Sequence, residues 1–163
     1  MSLLGYHGFN NWENHFMEDE NERDNILFGF ELEAREDDSN YVENQLSPEQ
    51  VACKLEEEFG NLFVYERDSS IGRGVEIISQ PMTMNYYMTH IDLFKKLLKM
   101  LEEMNYVSTK GNKCGLHIHF NRKALGYNSK EFEMLKSNVG NIRKANNLDH
   151  ERANETISNI VSI

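Results

Sequence analysis

The sequence predicts an α+β domain in which helices pack on one face of a largely antiparallel sheet. Runs rich in β-branched and aromatic residues alternate with segments of helical periodicity, in the order β-α-β-β-α-β-α. The chain has 163 residues, about the size of one domain. Hydrophobic residues make up 39% of it and only 2 residues are proline, as expected of a globular protein rather than a linker.

One boundary divides the chain into two segments. Residues 1–26 include an acidic run without an apolar period, so we separate them as an N-terminal approach segment. The domain itself is predicted at 27–163. Its first strand is predicted at 27–35, where β-forming residues alternate with carboxylates.

The first helix is predicted to begin after Ser47. This serine can act as the N-cap, Pro48 suits the first helical position, and Gln50 can complete a capping box. Gly60 then suits the end of the helix. The remaining predicted elements are strands in "NLFVYERD" and "GVEIIS", a helix at 83–103, a strand in "CGLHIHF" and a last helix from 128 through 139.

Composition narrows the functional classes. The formal net charge of −10 argues against a nucleic-acid partner, because such binding neutralises phosphates with lysine and arginine. No stretch approaches the roughly 20 apolar residues of a membrane span, so no membrane partner is expected. The 2 cysteines are too few for a disulfide scaffold. A reducing cytoplasm is therefore the expected location.

Polar side chains recur at alternate positions of three predicted strands. "FGFELEAR" carries Glu31 and Glu33 on one face and apolar side chains on the other, because strand residues alternate between faces. "CGLHIHF" does the same with His117 and His119, and "GVEIIS" adds Glu76. The sequence thus predicts one apolar face for the helices and an opposite face that collects carboxylates and imidazoles.

This set of side chains indicates a divalent metal site. Mg²⁺ and Mn²⁺ are hard ions that take oxygen ligands, and Mn²⁺ also tolerates a histidine. A bound cation removes the repulsion between acids packed side by side. Sites of this type hold nucleotide phosphates. A simpler interpretation stays open, in which these residues only face water and Asp68 is a turn former.

In this order, "FGFELE", "DSSIGRGVEIISQP" and "CGLHIHF" resemble the amidoligase family. The family pattern is approximately G-x-E-x-E, then D-x-S with G-x-E-[IV]-x-S-x-P, then G-x-H-x-H, and the match covers 27–120. Its members are carboxylate-amine ligases of the glutamine synthetase and glutamate–cysteine ligase superfamily, found in phages and bacterial mobile elements. The resemblance implies a glutamine synthetase-like sheet whose concave face binds ATP and two or three divalent ions, in a bacterial or phage-infected cytoplasm.

The resemblance also assigns site residues. Those carried over as catalytic metal ligands for Mg²⁺ or Mn²⁺ are Glu31, Glu33, Glu76 and His117. His119 looks like a metal or phosphate contact, and Asp68 and Ser69 would lie at the nucleotide or acceptor edge. Arg73 is our own candidate for a phosphate contact and is not carried over from the family.

The implied reaction joins a carboxylate and an amine as an amide. The γ-phosphoryl group of ATP passes to the carboxylate, and the amine then displaces phosphate from the acyl phosphate. Small-molecule or peptide carboxylates and amines are the expected partners, and the sequence does not distinguish among them.

One departure separates this chain from the family pattern. Members usually continue past G-x-H-x-H to further strands and an arginine that meets the ATP phosphates, whereas about forty residues follow His119 here. We therefore expect a domain that is incomplete at its C-terminus, with unpaired edges that favour homo-oligomers. A non-catalytic metal- or nucleotide-binding relative is the main alternative. The H-x-H pair also suggests a metal-dependent hydrolase barrel. That fold needs roughly 250 residues, more than this chain has, so the sequence disfavours it.

Overall fold

The computed structural model describes residues 3–5, 14–108 and 114–121. These residues form an α+β fold with a mostly antiparallel six-stranded sheet and helices on one face, which confirms the predicted class. The predicted last helix at 128–139 lies outside the described residues. None of the helices in the described ranges has the length and apolarity needed to span a bilayer.

The sheet contains all four predicted strands and two very short ones. The strands are β1 (Leu27–Glu36), β2 (Phe63–Glu66), β3 (Gly74–Ser79), β4 (Met82–Thr83), β5 (Tyr106–Val107) and β6 (Leu116–Phe120). The helices are α1 (Pro48–Phe59), α2 (Met84–Thr89) and α3 (Ile91–Glu103), with 3-10 turns at Glu20–Asp24, Gly60–Leu62 and Ser69–Ile71. The sequence did not reveal β4 and β5, because two residues are too few to show a period.

Strand β1 is the centre of the sheet. Glu31 pairs with Ile78 of β3 and with His117 of β6, so those two strands lie on opposite edges of β1. Strand β4 continues the β3 side, and β5 continues the β6 side. Strand β2 pairs with the far edge of β3, and Leu4 bridges to β2 in turn. All strand pairs are antiparallel, and β6 is the outermost described strand on its side.

The hydrophobic core lies between one sheet face and the helices. The sheet contributes Phe28, Leu32, Ala34, Phe63, Tyr65, Val75 and Ile77, and the helices contribute Val51, Leu55, Phe59, Phe94, Leu97 and Leu101. Helix α3 docks through Phe94, whose ring centroid lies 5.9 Å from Phe30 and 6.1 Å from Phe63. The apolar face predicted from alternation is therefore the face that the helices cover.

The capping signals at both ends of α1 are confirmed. The Ser47 hydroxyl accepts from the Gln50 N–H at 3.3 Å, and the Gln50 side chain accepts from the Ser47 N–H at 2.9 Å. Gly60 follows the helix with φ of 57°, in the left-handed region that favours glycine. Local sequence thus marks both ends of this helix, and its buried residues Val51, Leu55 and Phe59 pack it into the core.

The single helix predicted at 83–103 is instead two helices, α2 and α3, joined at His90. This residue has φ −105° and ψ 23°, outside the α-helical region. Its ring Nδ1 lies 3.1 Å from the Tyr86 carbonyl oxygen and 2.9 Å from a Glu18 carboxylate oxygen. The apolar period continues across the break, which is why periodicity alone did not locate it.

We expect Ile77→Ala to lower the free energy of unfolding by about 2–5 kcal/mol, because Ile77 is fully buried in the centre of β3. Urea denaturation followed by circular dichroism measures this change. Ile26→Ala is the matched control, since Ile26 is 50% exposed and its truncation should cost less than about 0.5 kcal/mol. Equal losses in the two variants would contradict the assigned core.

Candidate functional site

The sheet face opposite the helices carries the predicted polar residues. Directly paired residues on neighbouring strands lie on the same face, with side chains close together. Glu33 lies opposite Glu76 across β1 and β3, and Glu31 lies opposite His117 across β1 and β6. We call this surface the acidic face and define it by Glu31, Glu33, Glu66, Glu76, His117 and His119. The structure therefore brings the four predicted metal ligands to one face.

Glu66 is a member of the acidic face that the sequence reasoning missed. It is the last residue of β2, pairs directly with Glu76, and is only 2% exposed. A row of three carboxylates thus crosses the sheet from Glu66 through Glu76 to Glu33. The signal was present in "NLFVYERD", where Val64 and Glu66 share one face, but the sequence did not tell which strand lies beside Glu76.

Glu31 is paired with both histidines of β6. Its Oε2 lies 3.2 Å from His117 Nδ1, and its Oε1 lies 3.1 Å from His119 Nε2. Burial acts to raise the pKa of the Glu31 carboxyl, but the hydrogen bonds and charges of His119 and then His117 lower it further, so that the pKa lies below its usual value. Glu31 is consequently ionised at neutral pH.

Glu76 is in the opposite electrostatic situation. The pKa of the Glu76 carboxyl is raised to about 8. Burial is the largest cause of this shift, followed by the negative charges of Glu31, Asp68, Glu66 and Glu33. Without a bound cation this carboxyl is therefore protonated at neutral pH. A divalent cation at the acidic face would favour the ionised form, because it supplies the positive charge that these groups lack.

The residues at the start of β6 hold Glu33 in place. The Gly115 N–H donates to Glu33 Oε2 at 2.7 Å, and the Glu33 N–H donates to the Gly115 carbonyl at 3.1 Å. Cys114 precedes this contact. Burial and then the Glu33 carboxylate raise the pKa of its thiol, which makes it a poor thiolate ligand.

Asp68 is a turn former here. Its two carboxylate oxygens accept from the N–H and the hydroxyl of Ser70, both at 2.7 Å, and it caps the 3-10 turn at Ser69–Ile71. Asp68 is buried and Ser69 is exposed. Asp68 still lies close enough to influence Glu76 electrostatically. A nucleotide or acceptor contact for Asp68 and Ser69 stays a prediction.

Arg35 and Arg73 form different ion pairs and lie on different sides of β1. Arg73 forms an ion pair with Glu36, Nε to Oε2 at 3.0 Å, and Glu36 alternates onto the apolar side of β1. Arg35 alternates onto the acidic face with Glu31 and Glu33. It pairs with Asp38, its side chain is only 14% exposed, and its Nε has no hydrogen-bond partner in the described part of the chain. Arg35 thus lies on the acidic face, and a phosphate contact for Arg73 stays a prediction.

The acidic face fits a divalent cation by donor chemistry. Carboxylate oxygens with one or two imidazole nitrogens are ligands for Mg²⁺ and Mn²⁺. In the arrangement described, however, the side chains pair with each other: no three His, Cys, Asp or Glu residues among those described form a group that could hold a metal. Metal binding would require side-chain rotation that releases Glu31 from His117 and His119.

Comparison with known proteins finds no relative. No family model, curated protein or solved structure matches this chain. The amidoligase resemblance therefore stays a prediction that depends on the three motifs, and the chemistry of the acidic face has to be argued from its own residues.

The raised pKa of Glu76 predicts a pH-dependent stability in metal-free buffer. Because the folded pKa of about 8 lies above the value of 4.5 for an unperturbed glutamate, the folded state holds the extra proton between these two values. The free energy of unfolding should then fall as pH rises from about 5 to 8. Glu31 acts outside this window, since its lowered pKa affects stability only at more acidic pH.

Urea denaturation of the wild type and Glu76→Gln at pH 5.5 and pH 8 measures this effect. The neutral glutamine cannot ionise, so the variant should lose less stability between the two pH values. Both proteins have the same histidines, so any effect of these histidines on the free energy of unfolding cancels when the pH-dependent changes of the two proteins are subtracted. The same pH dependence in both proteins would contradict a protonated Glu76.

Proposed function

We propose that the acidic face binds divalent cations, Mg²⁺ or Mn²⁺, and that the protein is an ATP-dependent carboxylate-amine ligase. The observation that carries the proposal is the convergence of Glu31, Glu33, Glu76 and His117 on one sheet face. These four residues come from three separated segments and are the ones that the amidoligase motifs select.

Electrostatics supports the cation. Burial and the negative charges of four carboxylates raise the pKa of the Glu76 carboxyl, and a bound cation would offset that repulsion. Only one cationic side chain, Arg35, alternates onto this face from the described part of β1. A face that concentrates negative charge in this way attracts a metal ion more strongly than any single carboxylate does.

The bound metal would supply charge neutralisation for the phosphates of ATP. Within this chain, Glu31, Glu33, Glu76 and His117 would hold it, and Glu66 would add a further carboxylate. His119 is buried behind Glu31 and would orient that carboxylate. Arg35 would hold a phosphate oxygen at the end of the face.

The proposed reaction forms one C–N bond. The γ-phosphoryl group of ATP passes to the substrate carboxylate, ADP leaves, and the amine displaces phosphate from the acyl phosphate while losing a proton. Carboxylate side chains on the acidic face can bind the amine as an ammonium ion before it loses that proton. The acid and amine are small molecules or peptides in this proposal.

A second candidate is a metal- or nucleotide-binding protein without catalysis. The observation that favours it is the pairing of both Glu31 oxygens with His117 and His119, which competes with a metal for the same atoms. Isothermal titration with Mn²⁺ and with Mg-ATP, run beside phosphate release from ATP with a panel of amino acids and peptides, separates the two. Binding with amine-dependent phosphate release supports the ligase, and binding alone supports the second candidate.

We expect Glu31→Gln to weaken Mn²⁺ binding by about tenfold or more, because it removes a charged ligand from the centre of the acidic face. Titration followed by the paramagnetic resonance signal of free Mn²⁺ measures the affinity. Glu57→Gln is the matched control: it also removes one negative charge, but from the exposed surface of α1. Equal affinities of the two variants would place the metal elsewhere.

Ligase turnover should fall together with metal affinity in Glu31→Gln, since the same ligand serves both. Phosphate release at saturating Mg²⁺ measures turnover, and Glu57→Gln should keep the wild-type rate. If Mn²⁺ and Mg-ATP do not bind the wild-type protein at millimolar concentration, both candidate functions are wrong.

A further inference from the structure

Strand β6 carries exposed apolar side chains on the helix side of the sheet. Leu116 is 57% exposed, Ile118 is 50% exposed and Phe120 is 38% exposed, whereas Ile77 of β3 is fully buried. The three side chains line an open groove of about 340 Å³, whose other described walls come from β1, α2 and α3 and are apolar or aromatic. We call this surface the β6 groove. Contiguous exposed apolar surface of this kind is typical of a binding site.

The outer edge of β6 is also open. The Glu33 N–H donates to the Gly115 carbonyl at 3.1 Å, and the Asn121 N–H donates to the Leu27 carbonyl at 2.9 Å. The odd-numbered residues of this segment therefore bond to β1, and the N–H and C=O groups of the even-numbered residues point away from it. In the described part of the chain no strand pairs with that edge. Strand β6 has neither the lysine nor the proline that commonly blocks pairing at a sheet edge.

The two faces beside this edge differ in charge. Any strand that pairs with β6 directs alternate side chains toward the β6 groove and toward the acidic face. Apolar side chains match the first surface, and cationic side chains match the second. A second copy of this chain matches less well, because its own β6 would bring histidines to histidines and join two chains that each have a formal net charge of −10. The charges favour a basic partner.

Gly115 leaves a passage from the open edge to the acidic face. Its N–H donates to Glu33 Oε2 at 2.7 Å. A Cβ added at Gly115 would lie 3.5 Å from His117 Nε2 and 3.7 Å from Glu33 Oε2, so the glycine leaves the space beside both groups open. A strand added beyond β6 would lie about 10 Å from β1. A lysine on that strand, opposite Gly115, has a flexible four-carbon stem that can extend toward Glu33 without crossing a β6 side chain.

We propose that β6 binds an extended peptide as an additional antiparallel strand, with apolar side chains in the β6 groove and lysine side chains over the acidic face. Backbone hydrogen bonds to the even-numbered residues of β6 provide affinity, and the alternation of apolar and basic residues provides specificity. The lysine opposite Gly115 directs its ammonium group toward Glu33. Docking of the peptide is independent of metal binding and of ligase activity.

The amine substrate of the ligase is then a lysine side chain of the docked peptide, and this part of the inference rests on the proposed function. The lysine ammonium loses one proton to water. Its Nζ forms a bond to the carbonyl carbon of the acyl phosphate, and phosphate leaves with the electron pair of the broken C–O bond. The product is an amide on the lysine side chain.

A peptide of about seven residues, with lysine and valine at alternate positions and both ends blocked, tests the docking without ATP or metal. Fluorescence anisotropy measures the affinity. Methylation of the valine backbone nitrogens should weaken binding about tenfold or more, because in the antiparallel ladder these N–H groups face the even-numbered residues of β6. Methylation of the lysine backbone nitrogens is the matched control. It should change the affinity by less than about threefold, since those N–H groups point away from β6.

The order of the residues separates strand pairing from attraction by charge alone. A peptide with the same lysines and valines in two blocks has the same charge and should bind about tenfold more weakly. Equal affinities of the two methylated peptides would overturn the proposal. It would also be overturned by failure of the alternating peptide to bind at millimolar concentration, or by a dimer of the free protein that the peptide does not dissociate.

A variant of the protein tests the β6 groove. Ile118→Asp should weaken peptide binding about tenfold, although the added negative charge by itself would attract a cationic peptide. Met88→Asp is the matched control, because Met88 is 60% exposed on α2 and does not line the groove. It should bind the peptide like the wild type, and circular dichroism checks that both variants are folded. Equal peptide affinities of the two variants would contradict the groove as the binding site.

Phosphate release with Mg-ATP, a panel of carboxylates and the alternating peptide tests the assignment of the amine. Trimethylation of each lysine Nζ keeps the positive charge but removes the nucleophile, so this peptide should bind equally and support no phosphate release above the background. Phosphate release with small amines but not with the peptide would overturn the lysine assignment and leave the ligase standing. Peptide binding without phosphate release for any amine would contradict the ligase and leave the docking standing.

Discussion

The antiparallel register of β1 with its two neighbours is the constraint on which the rest of the structure depends. Glu31 and Glu33 face Ile78, Glu76 and His117 only because β1 pairs with β3 and β6 at this register. A slip of one residue would send the carboxylates into the hydrophobic core and Leu32 into solvent. Burial of the apolar face therefore fixes the position of every polar group on the other face. The core, rather than any contact between the acids, assembles the site.

The acidic face works against the stability of the fold that positions it. Four carboxylates around Glu76 repel one another, and the protein reduces the conflict by protonating Glu76 and by pairing Glu31 with two histidines. A bound cation could replace both effects. It would take the place of the proton on Glu76 and compete with the two imidazoles for the Glu31 carboxylate. Concentrated like charge that a ligand can neutralise is typical of functional sites, where stability is exchanged for binding.

Strand β6 presents different side chains to the two faces of the sheet. Its odd-numbered residues His117 and His119 lie on the acidic face, and its even-numbered residues Leu116, Ile118 and Phe120 line an apolar groove beside α2 and α3. The position of His117 and His119 near Glu31 therefore depends on the pairing of β6 with β1.

The sequence by itself determined the features that depend on local chemistry. The alternation in "FGFELEAR" and "CGLHIHF" fixed which residues share a face, and Ser47 with Gln50 fixed the start of α1. Only the tertiary structure decided which strands are neighbours. That pairing added Glu66 to the acidic face beside Glu76, and the break at His90 also escaped the local pattern because the apolar period continues across it. The physical reason is range: side-chain alternation and helix caps act within a few residues, whereas strand order is set by burying a shared apolar face across the whole domain.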